Sequence, residues 1–342
     1  MDRLLNKRNG LKGLILACIL IPIGVFIVNT DFKLVWQEIS KIGFRFVYLI
    51  LSTFAAYFIG TLAWWICLDK ERKRIRIMQL FVVRQVGETV GLYNPSSVVG
   101  GDLLKNQLLR PYAISPATAA ESIVVSRITV VLSQLLLFII AGIWLLFYAA
   151  DKLPTVMHYV LLVAIVVLLL VKIMLLRLLN QKAIIKEDAT IATANTSIWR
   201  KVVQKAKFLL AEAKLFYQEK PLRFWQSYAL SLLHWIIGSL EFYLILLFLG
   251  FDIHIMHGVL LDMGVIIVKS FGAFVPGQLG IEELGNKLVL TAVGIQATSV
   301  WLAVSILRRT RQLFWIFIGF ICYGFVRKSV TLNLLDHGSI IR

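Results

Sequence analysis

Val275-Pro276-Gly277-Gln278-Leu279-Gly280-Ile281-Glu282-Glu283 is a helix-breaking stretch with two carboxylates, set between strongly apolar runs. Backbone broken by Pro and Gly at membrane depth is tolerated only where protein surrounds it or where it lines a polar cavity. An earlier stretch, Asn94-Pro95-Ser96-Ser97-Val98-Val99-Gly100-Gly101-Asp102, has the same character. Two interruptions in corresponding positions point to a transporter-like binding site.

Working outward, the composition fixes the solvent. Of 342 residues, 59% are hydrophobic and 16% charged, and the mean hydropathy is +0.81. A soluble domain cannot hide that much apolar surface, so the chain reads as an integral membrane protein. No polar stretch is long enough for a separate folded unit, and one membrane domain over residues 1–342 is expected.

Lys and Arg outnumber Asp and Glu by 36 to 19. In a membrane protein this excess belongs to cytoplasmic loops facing an anionic leaflet. No nucleic-acid motif accompanies it, so no nucleic-acid partner is expected. Cys18, Cys67 and Cys322 fall singly in apolar runs and read as small buried hydrophobes. His254 and His257 in an external loop read as solvated rather than as metal ligands. Neither a phosphate-binding loop nor a nucleophile elbow occurs, and no metal, cofactor or catalytic residue is assigned.

The apolar runs set the topology. Residues 14–28 form a first anchor preceded by Arg3, Lys7, Arg8 and Lys12, with no cleavage site after it. Phe46 to Cys67 is a second span, matching the ~20 residues a bilayer requires. It is followed by Lys70-Glu71-Arg72-Lys73-Arg74-Ile75-Arg76, which places that loop and the N-terminus inside. Residues 78–93 carry Arg84 and Glu88 at i,i+4 spacing, one above the other on a helix face. They break at Pro95 and return through a short piece over residues 103–109. Residues 117–148 cross outward and 156–176 return. Residues 177–223, rich in Lys and Arg, form a cytoplasmic linker whose 198–217 portion is an amphipathic helix on the membrane surface. Residues 224–249 cross outward with His234 and Glu241, the latter paired with a buried Lys. Residues 258–274 enter from outside, break at Pro276-Gly277 and continue as a short piece over 283–293. Residues 299–325 cross back, so both termini are cytoplasmic and the protein sits in the cytoplasmic (inner) membrane.

A shift of 181 residues places Pro95 on Pro276, Asp102 on Glu283, Arg127 on Arg308 and Thr129 on Thr310. The copies, about 78–148 and 258–328, enter from opposite sides. The fold class expected is therefore all-α: a polytopic transmembrane helical bundle with two re-entrant broken-helix elements in an inverted repeat.

An ionisable group at membrane depth costs about 2.5–3.5 kcal/mol on insertion scales, so it faces a cavity or a partner. Arg84, Glu88, Asp102, Glu121, Arg127, Glu241, Lys269, Glu282, Glu283, Arg308, Arg309 and Arg311 are the candidates. Guanidinium forks suit a phosphate head group, and helix starts beside Gly-rich breaks offer N–H donors to an anion. The substrate-binding set expected is Arg127 and Arg308 for the phosphate, Asp102, Glu282 and Glu283 to position them or read the head group, and Pro95, Gly100, Gly101, Pro276, Gly277 and Gly280 for the breaks. Structural ion pairing of these charges is the competing reading.

The residues Pro95, Gly100-Gly101-Asp102-Leu103-Leu104, Ser126-Arg127 and Pro276-Gly277-Gln278-Leu279-Gly280, with Glu282 or Glu283, resemble the lysylphosphatidylglycerol synthase transmembrane-region family, a flippase-like membrane domain. The resemblance runs over about residues 10–330 and departs at Gln278, where the family often has a second glycine. It implies movement of a phospholipid or lipid-linked intermediate with an anionic head group between leaflets of the cytoplasmic membrane. Homo-oligomer formation is compatible with it. The chain ends seventeen residues after Phe325, so a stand-alone member without the aminoacyl-transferase domain is expected. A membrane-embedded transferase using Asp102 or Glu283 as general base is the alternative. A membrane scaffold acting through residues 177–223 is a third.

Overall fold

The computed structural model describes residues 42–93, 97–148, 155–181, 210–272, 278 and 280–338, with a few positions between 33 and 40. The expected first anchor over 14–28, the breaks at Pro95 and Pro276-Gly277, and most of the 177–223 linker lie outside the described residues. Every regular element among the described residues is helical, as a chain in hydrocarbon requires, because helices satisfy their own backbone groups.

Among the described residues the main helices are α1 (Phe46–Cys67), α2 (Ile77–Tyr93), α3 (Ser97–Leu109), α4 (Pro116–Tyr148), α5 (Thr155–Asn180), α6 (Pro221–Phe248), α7 (Ile255–Phe271), α8 (Ile281–Ala292) and α9 (Thr298–Gly338). Four of the described helices are long and apolar enough to cross a membrane: Gly43–Cys67, Pro116–Tyr148, His158–Asn180 and Pro221–Phe248. At 41 residues α9 is longer than any of them, but Arg308, Arg309 and Arg311 interrupt its apolar character.

Local chemistry sets the helix starts. Pro116 and Pro221 open α4 and α6, where a missing N–H costs nothing. Ser115 caps α4 by accepting from the Thr118 N–H at 3.1 Å, and its own N–H donates to Glu71 in the basic loop at 2.9 Å. The His254 ring accepts from the Met256 N–H to cap α7, and it stacks on Trp144 at 4.6 Å.

Packing centres on α1 and α6, the most extensive helix pair. Around them sit three groups of buried apolar side chains. One, with Trp64, Leu80, Leu109 and Phe224, lies at the end carrying the basic loop. A second joins α4, α5 and α7 through Phe138, Ile165 and Met263. The third joins α1, α6, α7 and α9 through Leu49, Phe242, Leu261 and Leu307. The helical residues 210–219 seat Ala213 and Phe216 in the first group. The expected surface helix therefore docks its apolar face on protein in this portion.

The sequence α2–α3–α4 (helix, short helix, long helix) recurs as α7–α8–α9. Each unit's first helix packs on its own short helix, and also on the long helix of the other unit: α2 on α9, and α7 on α4. At Gly101 the α2 backbone comes so close that an added Cβ would lie 2.5 Å from the Gly87 carbonyl oxygen. Only glycine fits there.

Candidate functional site

A cavity of about 610 Å³ opens between the two units, with α1 and α6 completing its wall. Its polar lining comes from two charge clusters, one on each side.

In the first unit, Asp102 on α3 accepts two hydrogen bonds from Arg127 on α4, Nε to Oδ2 at 2.6 Å and Nη2 to Oδ1 at 2.7 Å. This fork geometry is the strong form of the contact. One turn further along α3, Lys105 donates to Glu88 of α2 at 2.5 Å and to Asp102 at 3.3 Å. Its stem crosses the bare backbone of Gly87. Lys105 is buried, whereas the Glu88 side chain is 49% accessible. Glu88 lies on the cavity wall, so that surface opens into the interior of the bundle.

In the second unit, Glu282 is 2% exposed and takes Lys269 at 3.1 Å and Arg308 Nε at 3.2 Å. Arg308 turns Nη1 to Asp262 at 2.9 Å, with Glu241 at 3.9 Å. The Arg308 guanidinium also lies 4.7 Å from the Phe242 ring centre. Arg311 Nε lies 2.5 Å from Glu241, too bent for a good hydrogen bond but close enough for an ion pair. Its Nη1 donates to the Tyr57 hydroxyl at 2.9 Å. Arg309 faces the break: it forks onto Glu283 at 2.6 and 3.0 Å, and its Nη2 donates to the Gln278 carbonyl at 2.9 Å. Gln278 and Gly280 both take left-handed backbone, φ 51° and 78°. Gly280 then starts α8, with Glu282 and Glu283 in its first turn where the helix dipole favours them.

Arg84 on α2 differs from every other cation on the wall. It donates to the Tyr57 backbone carbonyl, and its guanidinium lies 5.6 Å from the Tyr57 ring centre. Gly60 of α1 leaves the room, since a Cβ there would meet the guanidinium at 2.9 Å. Among the described residues no carboxylate lies within ion-pair distance of Arg84, whereas Lys105, Arg127, Lys269, Arg308 and Arg311 each have one. Over the two clusters, seven cations (these six and Arg309) stand against the six carboxylates Glu88, Asp102, Glu241, Asp262, Glu282 and Glu283.

Of the residues expected from the sequence, Arg127, Arg308 and Glu282 line the cavity. Asp102 and Glu283 stand behind it, each gripping an arginine. Gly100 and Gly101 lie within α3 rather than at its start, and Gly280 precedes α8. Pro95, Pro276 and Gly277 are outside the described residues. Glu88 pairs with Lys105 rather than with Arg84 four residues away. The partners of Glu241 are Arg311 and Arg308, not a lysine. Glu121 belongs to neither cluster and lies 3.7 Å from Lys220.

Sequence reasoning passed over Asp262, a carboxylate in an apolar run that carried the same signal as the others. It also passed over Tyr57, Gln85, Gln312 and Trp315, which line the cavity and which nothing in the sequence sets apart. Among the described residues no three His, Cys, Asp or Glu side chains gather as a metal site.

No curated protein and no solved structure matches the chain. The family described as lysylphosphatidylglycerol synthase TM region matches residues 12–319, nearly the whole chain and both charge clusters. With that match, the protein belongs to the lysylphosphatidylglycerol synthase transmembrane-region family.

Proposed function

We propose that this protein translocates the polar head of a phospholipid or lipid-linked intermediate across the cytoplasmic membrane. The observation that carries the reading is the charged cavity walled in part by three of the apolar helices, with both units contributing to its wall. Charge at such depth is costly, and conventional structural pairing does not call for an open space of about 610 Å³ between the pairs. A space of that size accepts a polar head while the acyl chains stay among the apolar helix faces.

In this reading α2–α3 enters from the cytoplasm and α7–α8 from outside, as an inverted repeat with both termini inside. The crossed packing of α2 on α9 and α7 on α4 supplies two similar contacts that rocking would exchange, opening the cavity to each leaflet in turn. The transferase alternative finds less support. Its proposed bases, Asp102 and Glu283, are each forked by an arginine and do not line the cavity.

Reconstitution in proteoliposomes tests it. With fluorescent phosphatidylglycerol or a fluorescent neutral lipid present, dithionite is expected to reach inner-leaflet label faster with the protein than in empty vesicles. Conversion of a lipid-linked substrate to product without faster quenching would instead favour a transferase.

A further inference from the structure

The sequence nominates Arg127 and Arg308 for an anionic head group, yet both are already committed. Arg127 is forked by Asp102, and Arg308 is held between Asp262 and Glu282. A guanidinium in such a pair must surrender a carboxylate before it can take a phosphate, exposing a charge at membrane depth. Arg84 has no such contact to break. Its direct contacts are a carbonyl oxygen and a π face, which orient the fork. Glu88 attracts it from beyond ion-pair distance but is in contact with Lys105 instead. The remainder of the network balances, six cations against six carboxylates, so the network carries one cation in excess, and Arg84 is the one without an ion-pair contact among the described residues.

We infer that Arg84 is the head-group anchor, and that the cavity is built for a cargo bearing one net negative charge, a phosphodiester. The inference rests on the lipid-translocation reading and names the residue and ligand charge within it. A single surplus cation is neutralised by a single phosphodiester, leaving a balanced cavity as the head crosses. A dianionic phosphomonoester would leave a negative charge uncompensated. For a zwitterionic head, the carboxylate nearest to Arg84 in the first unit, Glu88, is already taken by Lys105. Arg127 and Arg308 then act as positioning residues. They hold α3 and α8 against the long helices, and so keep the wall around Arg84 in shape.

Lipid retention by purified protein, read by native mass spectrometry in detergent, tests this without requiring transport. Protein is mixed with phosphatidylglycerol, phosphatidylethanolamine or phosphatidate. Wild type is expected to retain phosphatidylglycerol at about one per chain and in preference to both others. Arg84→Gln should weaken that retention about tenfold or more, the effect of removing a charged hydrogen-bond donor, while Arg84→Lys falls between. The apparent melting temperature without lipid should stay close to wild type.

Equal retention of the three lipids, or undiminished phosphatidylglycerol retention in a folded Arg84→Gln, overturns the assignment. If Arg84→Gln does not fold, Gly60→Ala carries the test. Its methyl group would lie 2.9 Å from both terminal guanidinium nitrogens and displace the fork from its seat while keeping the charge count, so retention should fall several-fold, and normal retention overturns the assignment. Displacement of the lipid by millimolar inorganic phosphate would assign the site to a soluble oxyanion and overturn the lipid reading. Selective retention that depends on Arg84, with no faster quenching in vesicles, would leave the anchor standing and remove translocation.

Discussion

Arg309, not its neighbour Arg308, is the arginine that forks onto Glu283, with Nε at 2.6 Å and Nη2 at 3.0 Å from the two carboxylate oxygens. It thereby reproduces in the second unit what Arg127 does to Asp102 in the first. The two adjacent arginines of α9 divide the work. Arg309 holds the break through Glu283 and the Gln278 carbonyl, whereas Arg308 holds three carboxylates around the cavity.

That division predicts unequal mutational costs. Arg308 is 3% exposed, and Arg308→Ala leaves Glu241, Asp262 and Glu282 with a shared cation missing. The expected loss is about 3–5 kcal/mol, the usual cost of breaking a buried pair. The Arg127 side chain is 40% accessible and Asp102 keeps Lys105, so Arg127→Ala should cost clearly less. Apparent melting temperatures in detergent check the order. A larger drop for Arg127→Ala would contradict it.

A double-mutant cycle measures the fork itself. Glu283→Gln and Arg309→Gln are each expected to destabilise, and the double variant by less than their sum, because the second change removes a partner already lost. A coupling of about 1–3 kcal/mol is expected. Strict additivity would mean that the contact contributes nothing to the fold.

Two glycines should respond to alanine for different reasons. At Gly101 the methyl would strike the α2 backbone, and overpacking of this kind costs about 1–3 kcal/mol. At Gly280 there is open space but φ is 78°, so the cost is strain alone, about 1–2 kcal/mol. Gly280→Asn, which tolerates that backbone, is expected to recover much of the loss. The same exchange at Gly101 is expected to be worse than alanine. Thermal unfolding of the four variants distinguishes packing from strain.

Orientation is open to labelling in whole cells. Asp252→Cys, in the turn between α6 and α7, is expected to react with a membrane-impermeant maleimide from outside. Lys73→Cys, in the basic loop, should react only after permeabilisation. The reverse pattern would invert the topology and with it the side from which each unit enters.

Much of the architecture was legible in local pattern. The span over Phe46 to Cys67 coincides with α1, because an apolar run of bilayer length that ends at a basic cluster has one sensible reading. The order of helix, short helix and long arginine-bearing helix was equally visible, since Pro and Gly mark breaks wherever they fall. So was the presence of charges at membrane depth.

Their partners were not legible. The i,i+4 spacing put Arg84 and Glu88 on one helix face, yet Glu88 reaches Lys105 across the α2–α3 contact. Arg308 meets Asp262 across 46 positions of sequence, and no local rule spans that distance. A repeat offset of 181 put Arg308 where contact geometry puts Arg309, because one residue turns a side chain by about 100° around a helix. Sequence alone thus determined the solvent, the helices and the inventory of buried charge, all of which follow from hydropathy and backbone chemistry along the chain. Only tertiary structure, through helix rotation and register, decided which charges meet in ion pairs and that Arg84, among the described residues, lines the cavity without one.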